Sequence, residues 1–267
     1  MDKPMIHATA VIEPGVNLGK NVSVGPFAYL QSGATLGDGC VIGPHVTVFG
    51  SVTMGADCQV HAGAVLGDLP QDLGFKNTAT FVRIGARCVI RECVTIHRAT
   101  GAGEATEMGD NCFLMACSHL AHDVKLGARC ILANGALLGG HVHVGERVFI
   151  SANCGVHQFV RIGRLAMLGG NSGISKDVPP FCTVRTVGFN EVAGLNLVGL
   201  RRAGLADQDR ADIQQAFRIL YASGLNTSQA VERIKATFTG GPALEFVDFI
   251  AGARRGICAG PRGPADG

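Results

Sequence analysis

Aliphatic residues recur along this chain with a period of six. Every sixth position from Ile6 to Ile174 gives 29 positions, of which 26 are Ile, Leu, Val or Met; the exceptions are Asp72, Thr78 and Ala102. The position one later is often Gly, as at Gly19, Gly55, Gly127 and Gly139. The position four later is small or β-branched, as at Val22, Ala28, Val46, Val124 and Ala136. A period of six does not match the roughly 3.6-residue turn of a helix, but it suits short strands that turn a corner every six residues. The aliphatic residue and the small one four later then both point inward, and glycine supplies backbone angles that corners demand. This pattern predicts a parallel β-helix.

The same pattern explains most of the cysteines. Cys40, Cys58, Cys88, Cys112, Cys130 and Cys154 all occupy the small inward position, where a thiol behaves as a compact hydrophobe. The period breaks at Asp72, Thr78 and Ala102 and then resumes in phase. That predicts two loops thrown out at corners, Asp72–Asn77 and Ala102–Glu107. From about Pro179 the period ends. Helical spacing follows over Ala206–Ser223 (Ile213, Phe217, Leu220), with Gly224 as its stop. A second helix capped by Thr227 or Ser228 carries Val231, Ile234 and Phe238, and a third opens at Pro242. The Gly/Pro-rich tail Ala259–Gly267 reads as disordered. The division predicted is 1–185, an all-β solenoid, and 186–267, a small all-α domain with its tail.

Composition narrows the function classes. With 23 Lys+Arg against 21 Asp+Glu the net charge is +2, which gives no footprint for nucleic acid. Mean hydropathy is +0.27, high enough that a membrane span has to be considered. No apolar run approaches the ~18 residues such a span needs. Met1-Asp2-Lys3-Pro4 resembles neither a signal peptide nor a transit peptide, and ten cysteines without a Cys-x-x-Cys pair fit a reducing compartment. A cytoplasmic enzyme is the expectation.

The hexapeptide signature is similar to that of the hexapeptide transferases, in which three hexads make one triangular coil wound left-handed. Applying that coil and skipping the two loops stacks the hexads at Ile96, Leu120, Leu138 and Val156 on one face. His97, His122 with Asp123, His141, and His157 with Gln158 then form a ladder along one edge, with His119 at the adjoining corner. One such histidine is commonly structural. Several on one edge, one of them beside a carboxylate, suit general-base chemistry, because imidazole exchanges a proton near neutral pH. His7, His45, His61 and His143 fall elsewhere and read as surface or corner residues.

Longer segments carry a narrower resemblance. Leu-Pro-Gln-Asp-Leu (69–73), Thr-Ile-His-Arg (95–98), His-Leu-Ala-His-Asp (119–123), Ile-Leu-Ala-Asn (131–134) and Gly-Gly-His-Val (139–142) resemble the UDP-N-acetylglucosamine acyltransferases of lipid A synthesis. So do Val-His-Gln-Phe (156–159), Lys-Asp-Val-Pro-Pro (176–180) and Gly-Leu-Asn-Leu-Val-Gly-Leu-Arg-Arg (194–202). The resemblance covers about residues 5–257. It implies transfer of a 3-hydroxyacyl group from acyl carrier protein to the 3-hydroxyl of UDP-N-acetylglucosamine. It also implies a homotrimer with clefts between subunits, and no metal or organic cofactor. By the same resemblance His122 is the general base with Asp123 beside it, and the Gly140 N–H stabilises the oxyanion. Gln71, Asp72, His119, Asn134, His141 and Gln158 contact sugar and acyl group; His97 belongs to the same binding edge. His157, Asn196 and Arg202 lie near the diphosphate and uridine. Gly170 matches the position whose bulk sets the acyl length.

The chain departs from the family at Gly74, where some members have Lys and this one has Lys76 two residues on. Thr186–Val192 also fits poorly. Three other readings share parts of this pattern: another hexapeptide acyltransferase, such as an N-acyltransferase of the same pathway or a sugar N-acetyltransferase; a zinc enzyme of the γ-carbonic-anhydrase kind using Cys117, His119 and His122; and a non-catalytic trimeric scaffold. The Gln-Asp-Leu loop and the Gly-Leu-Asn…Arg-Arg segment argue against the first.

Overall fold

A computed structural model describes residues 5–184 and 189–261. The chain winds as a triangular prism of three parallel sheets, here named A, B and C in the order the chain visits them. Strands of two to four residues stack eleven deep in A, nine deep in B and eight deep in C. Met5 lies opposite Ser23, so one coil takes 18 residues, or three hexads.

Each hexad contributes two inward side chains. Residues such as Leu30, Leu36 and Ile42 fill the flats, while Ala28, Ala34 and Val46 fill the corners, all essentially inaccessible. Burying each large aliphatic side chain contributes about 1.5–3 kcal/mol, and the core is one such column repeated. Five of the cysteines stack on consecutive coils at the corner from C to A. Their thiols point at the carbonyls of Gly55, Gly85, Gly109, Gly127 and Gly145 in the coil above, at 3.1–3.3 Å.

The corners differ from expectation in which residue bears the strained backbone. It is the residue three after the aliphatic one: Asn21, Asp57, Arg87, Asn111, Arg129 and Arg147 have φ between 55 and 58°. The glycines one after the aliphatic residue mostly lie outside that left-handed region. They are needed because coils touch there: a Cβ on Gly55 would stand 2.7 Å from the Ala86 nitrogen, and one on Gly127 2.7 Å from the Gly145 carbonyl carbon. Close approach of stacked backbones, more than torsion, selects glycine at this position.

Both predicted excursions are present at the B-to-C corner, with other limits. Gln59 faces Val89, 30 residues on and 12 more than a coil, so hexads 72 and 78 both leave the prism between strands Val65–Asp68 and Phe81–Ile84. Val89 faces Phe113, 24 residues on and 6 more than a coil. That loop ends at Glu104, and Ala105–Met108 is a strand of sheet C, so Ala105, Thr106 and Glu107 belong to the prism.

After the last coil, strand Cys182–Val184 extends sheet A and Val192–Leu195 pairs antiparallel with it. Helix α1 (Leu197–Arg202) follows, then α2 (Asp207–Ala222), α3 (Thr227–Thr237) and, after a 3-10 turn at Pro242–Leu244, α4 (Glu245–Ala251). The cap of α3 is Asn226, whose side chain accepts from Gln229 N while Gln229 returns a bond to Asn226 N; Thr227 is already helical. Arg164 grips Glu245 with two hydrogen bonds of 2.5 and 2.6 Å, and Arg161 lies 4.3 Å over the Phe249 ring, fixing α4 to sheet C. The start of the predicted tail is ordered, since Ala259 N donates to Asn190 O at 2.9 Å; residues 262–267 lie outside the described ones.

Candidate active site

Strand register brings the predicted histidines together. On sheet B, Thr95 faces His119, and Leu137, Gly155 and Gly173 continue the outward column above them. The adjoining B–C edge carries His122 and Asp123, Gly140 and His141, and Gln158 on successive coils. Between column and edge runs a groove of about 600 Å³, lined by Gln71, His119, His122, Gly140, His157 and Gln158, with Phe189 at its far end.

His122 is the best-positioned base in it. Its Nδ1 lies 2.8 Å from Asp123 Oδ2. Asp123 also accepts the Thr100 hydroxyl at 2.6 Å and the Thr100 N–H at 3.2 Å, and its own N–H donates to Thr106 Oγ1. Burial pushes the Asp123 carboxyl up. The bonds from Thr100 and His122, with His141 nearby, outweigh that and hold it below its ordinary value. An ionised Asp123 takes the Nδ1–H, which leaves Nε2 as the basic nitrogen.

That nitrogen faces Gly140. A Cβ there would stand 2.6 Å from His122 Nε2 and 2.4 Å from Cε1, so only glycine admits the ring. The Gly139 N–H donates to Val156 O and the His141 N–H to His122 O. Among the described residues the Gly140 N–H has no such backbone partner. A base and an unpaired backbone donor therefore sit side by side in an open groove, which is the arrangement acyl transfer needs.

The other groups frame this pair. His141 stacks on Phe159 at 4.6 Å, and its Nε2 is 3.5 Å from Asp123 Oδ2. His119 accepts from or donates to the Thr95 hydroxyl at 2.7 Å, and burial, with His97 alongside, pushes its pKa down to about 4. His97 is buried with Nδ1 unpartnered, its pKa lowered mainly by desolvation. His157 Nδ1 is 3.1 Å from the Gln158 carbonyl, which also receives Arg255. Asp72 turns its own loop, accepting from Gly74 N at 2.8 Å.

Not every predicted residue joins them. Asn134 and Gly170 stand on the A–B edge, where a Cβ on Gly170 would be 3.4 Å from Ala152 O. Asn196 lies at the C–A edge: it caps α1 through Gly199 N and donates to Leu165 O. Arg202 is exposed in the last turn of the same helix. Within one chain these four do not reach His122. Thr186–Gly188 lie outside the described residues. Conversely, sequence reasoning did not single out Thr95, Thr100, Thr106, Gly155, Gly173 or Phe159; aligning the coils would have exposed Thr95, which is in register with His119.

The zinc reading changes in detail. Cys117 sits on the A–B edge, away from the groove. Donor atoms of His122, Asp123 and His141 lie within 4.8 Å of one another, the one such group among the described residues. The Asp123 carboxylate is already committed to Thr100 and His122, so the geometry favours a base held by its acid over a cation site. A larger groove of about 990 Å³ lies between sheet C and α4, but its charges pair among themselves, as in Arg83–Glu107, Lys125–Glu107 and Arg164–Glu245.

Known proteins place the chain. Hexapeptide transferase repeats match residues 15–50 and 105–140, and the second domain of the UDP-N-acetylglucosamine O-acyltransferases matches 177–258. The acyl-[acyl-carrier-protein]–UDP-N-acetylglucosamine O-acyltransferase of Halorhodospira halophila is 44% identical, over 94% of this chain and 98% of its own length. The chain belongs to the UDP-N-acetylglucosamine acyltransferase family. The Anaeromyxobacter dehalogenans member is 37% identical over the same shares. The solved acyltransferase of Francisella novicida superposes with a TM-score of 0.91 at 34% identity, covering 96% of this chain and 94% of that one. The Arabidopsis acyltransferase gives 0.82 at 34%, covering 95% and 100%. The prism is accordingly the left-handed parallel β-helix of this family, followed by its helical domain.

Proposed function

We propose that this chain transfers a 3-hydroxyacyl group from acyl carrier protein to the 3-hydroxyl of UDP-N-acetylglucosamine, the first step of lipid A synthesis. The observation that carries the chemistry is the His122–Asp123 pair set against the unpaired Gly140 N–H. His122 Nε2 takes the proton of the sugar hydroxyl as that oxygen attacks the thioester carbonyl. The carbonyl oxygen, now an oxyanion, is stabilised by the Gly140 N–H, a contribution of roughly 2.7–4 kcal/mol for a donor of this kind. Collapse expels the carrier-protein thiolate, which recovers the proton from His122. Asp123 keeps the imidazole in one tautomer and balances its charge meanwhile. No metal or organic cofactor enters this scheme.

The remaining residues suggest how the site is completed. Asn134 and Gly170 on one edge, and Asn196 and Arg202 on another, come near a His122 groove only across a subunit boundary. A homotrimer built around the prism would bring them there and wall the groove against water. We place the acyl-transfer machinery in residues 1–185 and give 186–267 a share in nucleotide binding through Asn196 and Arg202. A cytoplasmic setting suits a carrier-protein thioester and a UDP-sugar as substrates. No helix among the described residues is long and apolar enough to cross a membrane.

The test is an acyl-transfer assay pairing 3-hydroxyacyl-carrier-protein thioesters of several lengths with UDP-N-acetylglucosamine and with its 3-amino analogue. An O-acylated UDP-sugar is expected. Failure of every donor with UDP-N-acetylglucosamine would overturn the assignment.

A further inference from the structure

Asp123 has two imidazoles within reach, and it can fix the tautomer of only one. Its Oδ2 lies 2.8 Å from His122 Nδ1 and 3.5 Å from His141 Nε2. The two rings meet edge to face with centroids 5.2 Å apart, so a modest rotation of the carboxylate exchanges one partner for the other. The exchange matters, because the nitrogen that faces a carboxylate keeps its proton and the other nitrogen of that ring is left basic. Only the bond to His122 leaves a basic nitrogen set against Gly140.

The second loop supplies what opposes the exchange. The Thr100 hydroxyl donates to the same Oδ2 at 2.6 Å, and the Thr100 N–H lies 3.2 Å from each carboxylate oxygen. Hydrogen bonds to a charged acceptor are the stronger kind, and a planar group held at both oxygens by a backbone donor resists rotation. Thr100 is itself anchored. Its carbonyl accepts the Thr78 hydroxyl of the first loop at 3.4 Å, and nearby the Gly103 N–H donates to Ala79 O at 2.8 Å. The Asp123 backbone is fixed separately, at a left-handed corner with φ 61° and with its N–H donating to Thr106 Oγ1 at 2.9 Å. With the backbone fixed, the side-chain rotation is the freedom that remains, and Thr100 is the residue that removes it.

We propose that Thr100 is a positioning residue for acyl transfer, committing Asp123 to His122 rather than to His141. This role rests on the general-base reading of His122 and adds to it the group that selects between two neighbouring imidazoles. Without the hydroxyl, Oδ2 is free to turn toward His141. His122 then loses its fixed Nδ1–H, and fewer molecules present a bare Nε2 to the sugar hydroxyl. The loss falls on kcat and leaves KM alone, because the missing bond acts on the base and not on bound substrate.

The experiment compares Thr100→Val, which deletes the hydroxyl and keeps the N–H, with Thr100→Ser, which keeps both, in the assembled protein. Thr100→Val should lower kcat on the order of tenfold with KM near that of wild type, and Thr100→Ser should recover most of the rate. Thr100→Ala should match Thr100→Val, and it takes that variant's place if the melting temperature shows that valine disturbs the loop. A second readout is the 15N spectrum of the imidazole nitrogens, with His122→Gln identifying the His122 signals. Wild type should show His122 protonated at Nδ1 with Nε2 bare; Thr100→Val should show a mixture of tautomers. The proposal is overturned if Thr100→Val keeps the full rate, if Thr100→Ser loses as much as Thr100→Val, or if the His122 signals are the same in Thr100→Val as in wild type. The nitrogen spectrum needs no acyl donor, so its failure is distinct from failure of the acyltransferase reading.

Discussion

At the scale of single residues, His122→Ala removes the one groove imidazole whose tautomer is fixed by a buried carboxylate. A kcat at least ~10²-fold lower is expected, with the melting temperature nearly unchanged. His45→Ala is the control: that ring stacks on Phe27 at 5.1 Å on another edge, and its loss should leave the rate alone. Equal losses in both variants would remove His122 from its role. His119 makes a different prediction, read in stability. Its folded pKa is pushed down to about 4 from the 6.5 of a free imidazole, chiefly by burial. Between those values the unfolded chain binds a proton that the folded chain refuses, so stability falls as pH drops from about 6.5 toward 4. His119→Gln should flatten that part of the melting temperature–pH curve; an unchanged slope would mean that the ring is protonated in the folded protein.

At the scale of elements, the corner is the repeating unit, and its two special positions have different physics. A Cβ on Gly127 would press on the backbone of Gly145 and Glu146 at 2.7 and 2.8 Å, and neither can retreat without opening the ladder. Gly127→Ala should therefore cost about 1–3 kcal/mol, visible as a lowered thermal midpoint. Arg129, two residues later at φ 58°, carries strain that asparagine tolerates better. Arg129→Asn should leave the midpoint unchanged or raise it. The reverse ranking would mean that torsion, not contact, places these glycines. In the helical domain the reciprocal Asn226–Gln229 cap sets the start of α3, and Asn226→Ala should lower stability by ~1 kcal/mol.

At the scale of the whole molecule, the proposed site residues are spread over three edges of one prism, and a trimer is the arrangement that could reunite them. Sedimentation equilibrium at micromolar concentration should give three subunits; a monomer would remove the shared-cleft model. The acyl-length role proposed for Gly170 belongs to this scale too, since Gly170 does not line the groove of its own chain. Its backbone lies outside the left-handed region, and a Cβ meets only ordinary contact at 3.4 Å, so Gly170→Met should fold. If a neighbour's acyl chain ends against it, the variant should favour donors about four carbons shorter, by roughly a hundredfold at ~0.8 kcal/mol per excluded methylene. An unaltered chain-length profile would place the end of the groove elsewhere, with Phe189 the first residue to examine.

The six-residue period by itself determined the solenoid, because from Val24 onward the hexads of the prism bury their aliphatic residues against the hexads above and below. No distant contact is needed to read Leu30 or Cys88 as inward. Taken with the three-hexad coil that the family resemblance implies, it also stacked His97, His119, His122, His141 and His157 correctly, since register then follows from counting once the inserted loops are set aside. What it did not determine was anything resting on where two coils touch or where a loop folds back. The left-handed torsion expected of glycines such as Gly127 falls instead on Arg129, and Gly127 is there for close contact, because contact between backbones is invisible in a one-dimensional pattern. Thr100 reaches Asp123 only because the second loop ends at Glu104 and returns across the B–C edge. Asn196, near Arg202 in the chain, is turned to Leu165 on a different edge from His122, because α1 must cap its own N-terminus. Local periodicity specified the scaffold and the family resemblance named the candidate base; the approach of separate coils in space decided which nitrogen of that base is free and how the Gly140 backbone stands against it.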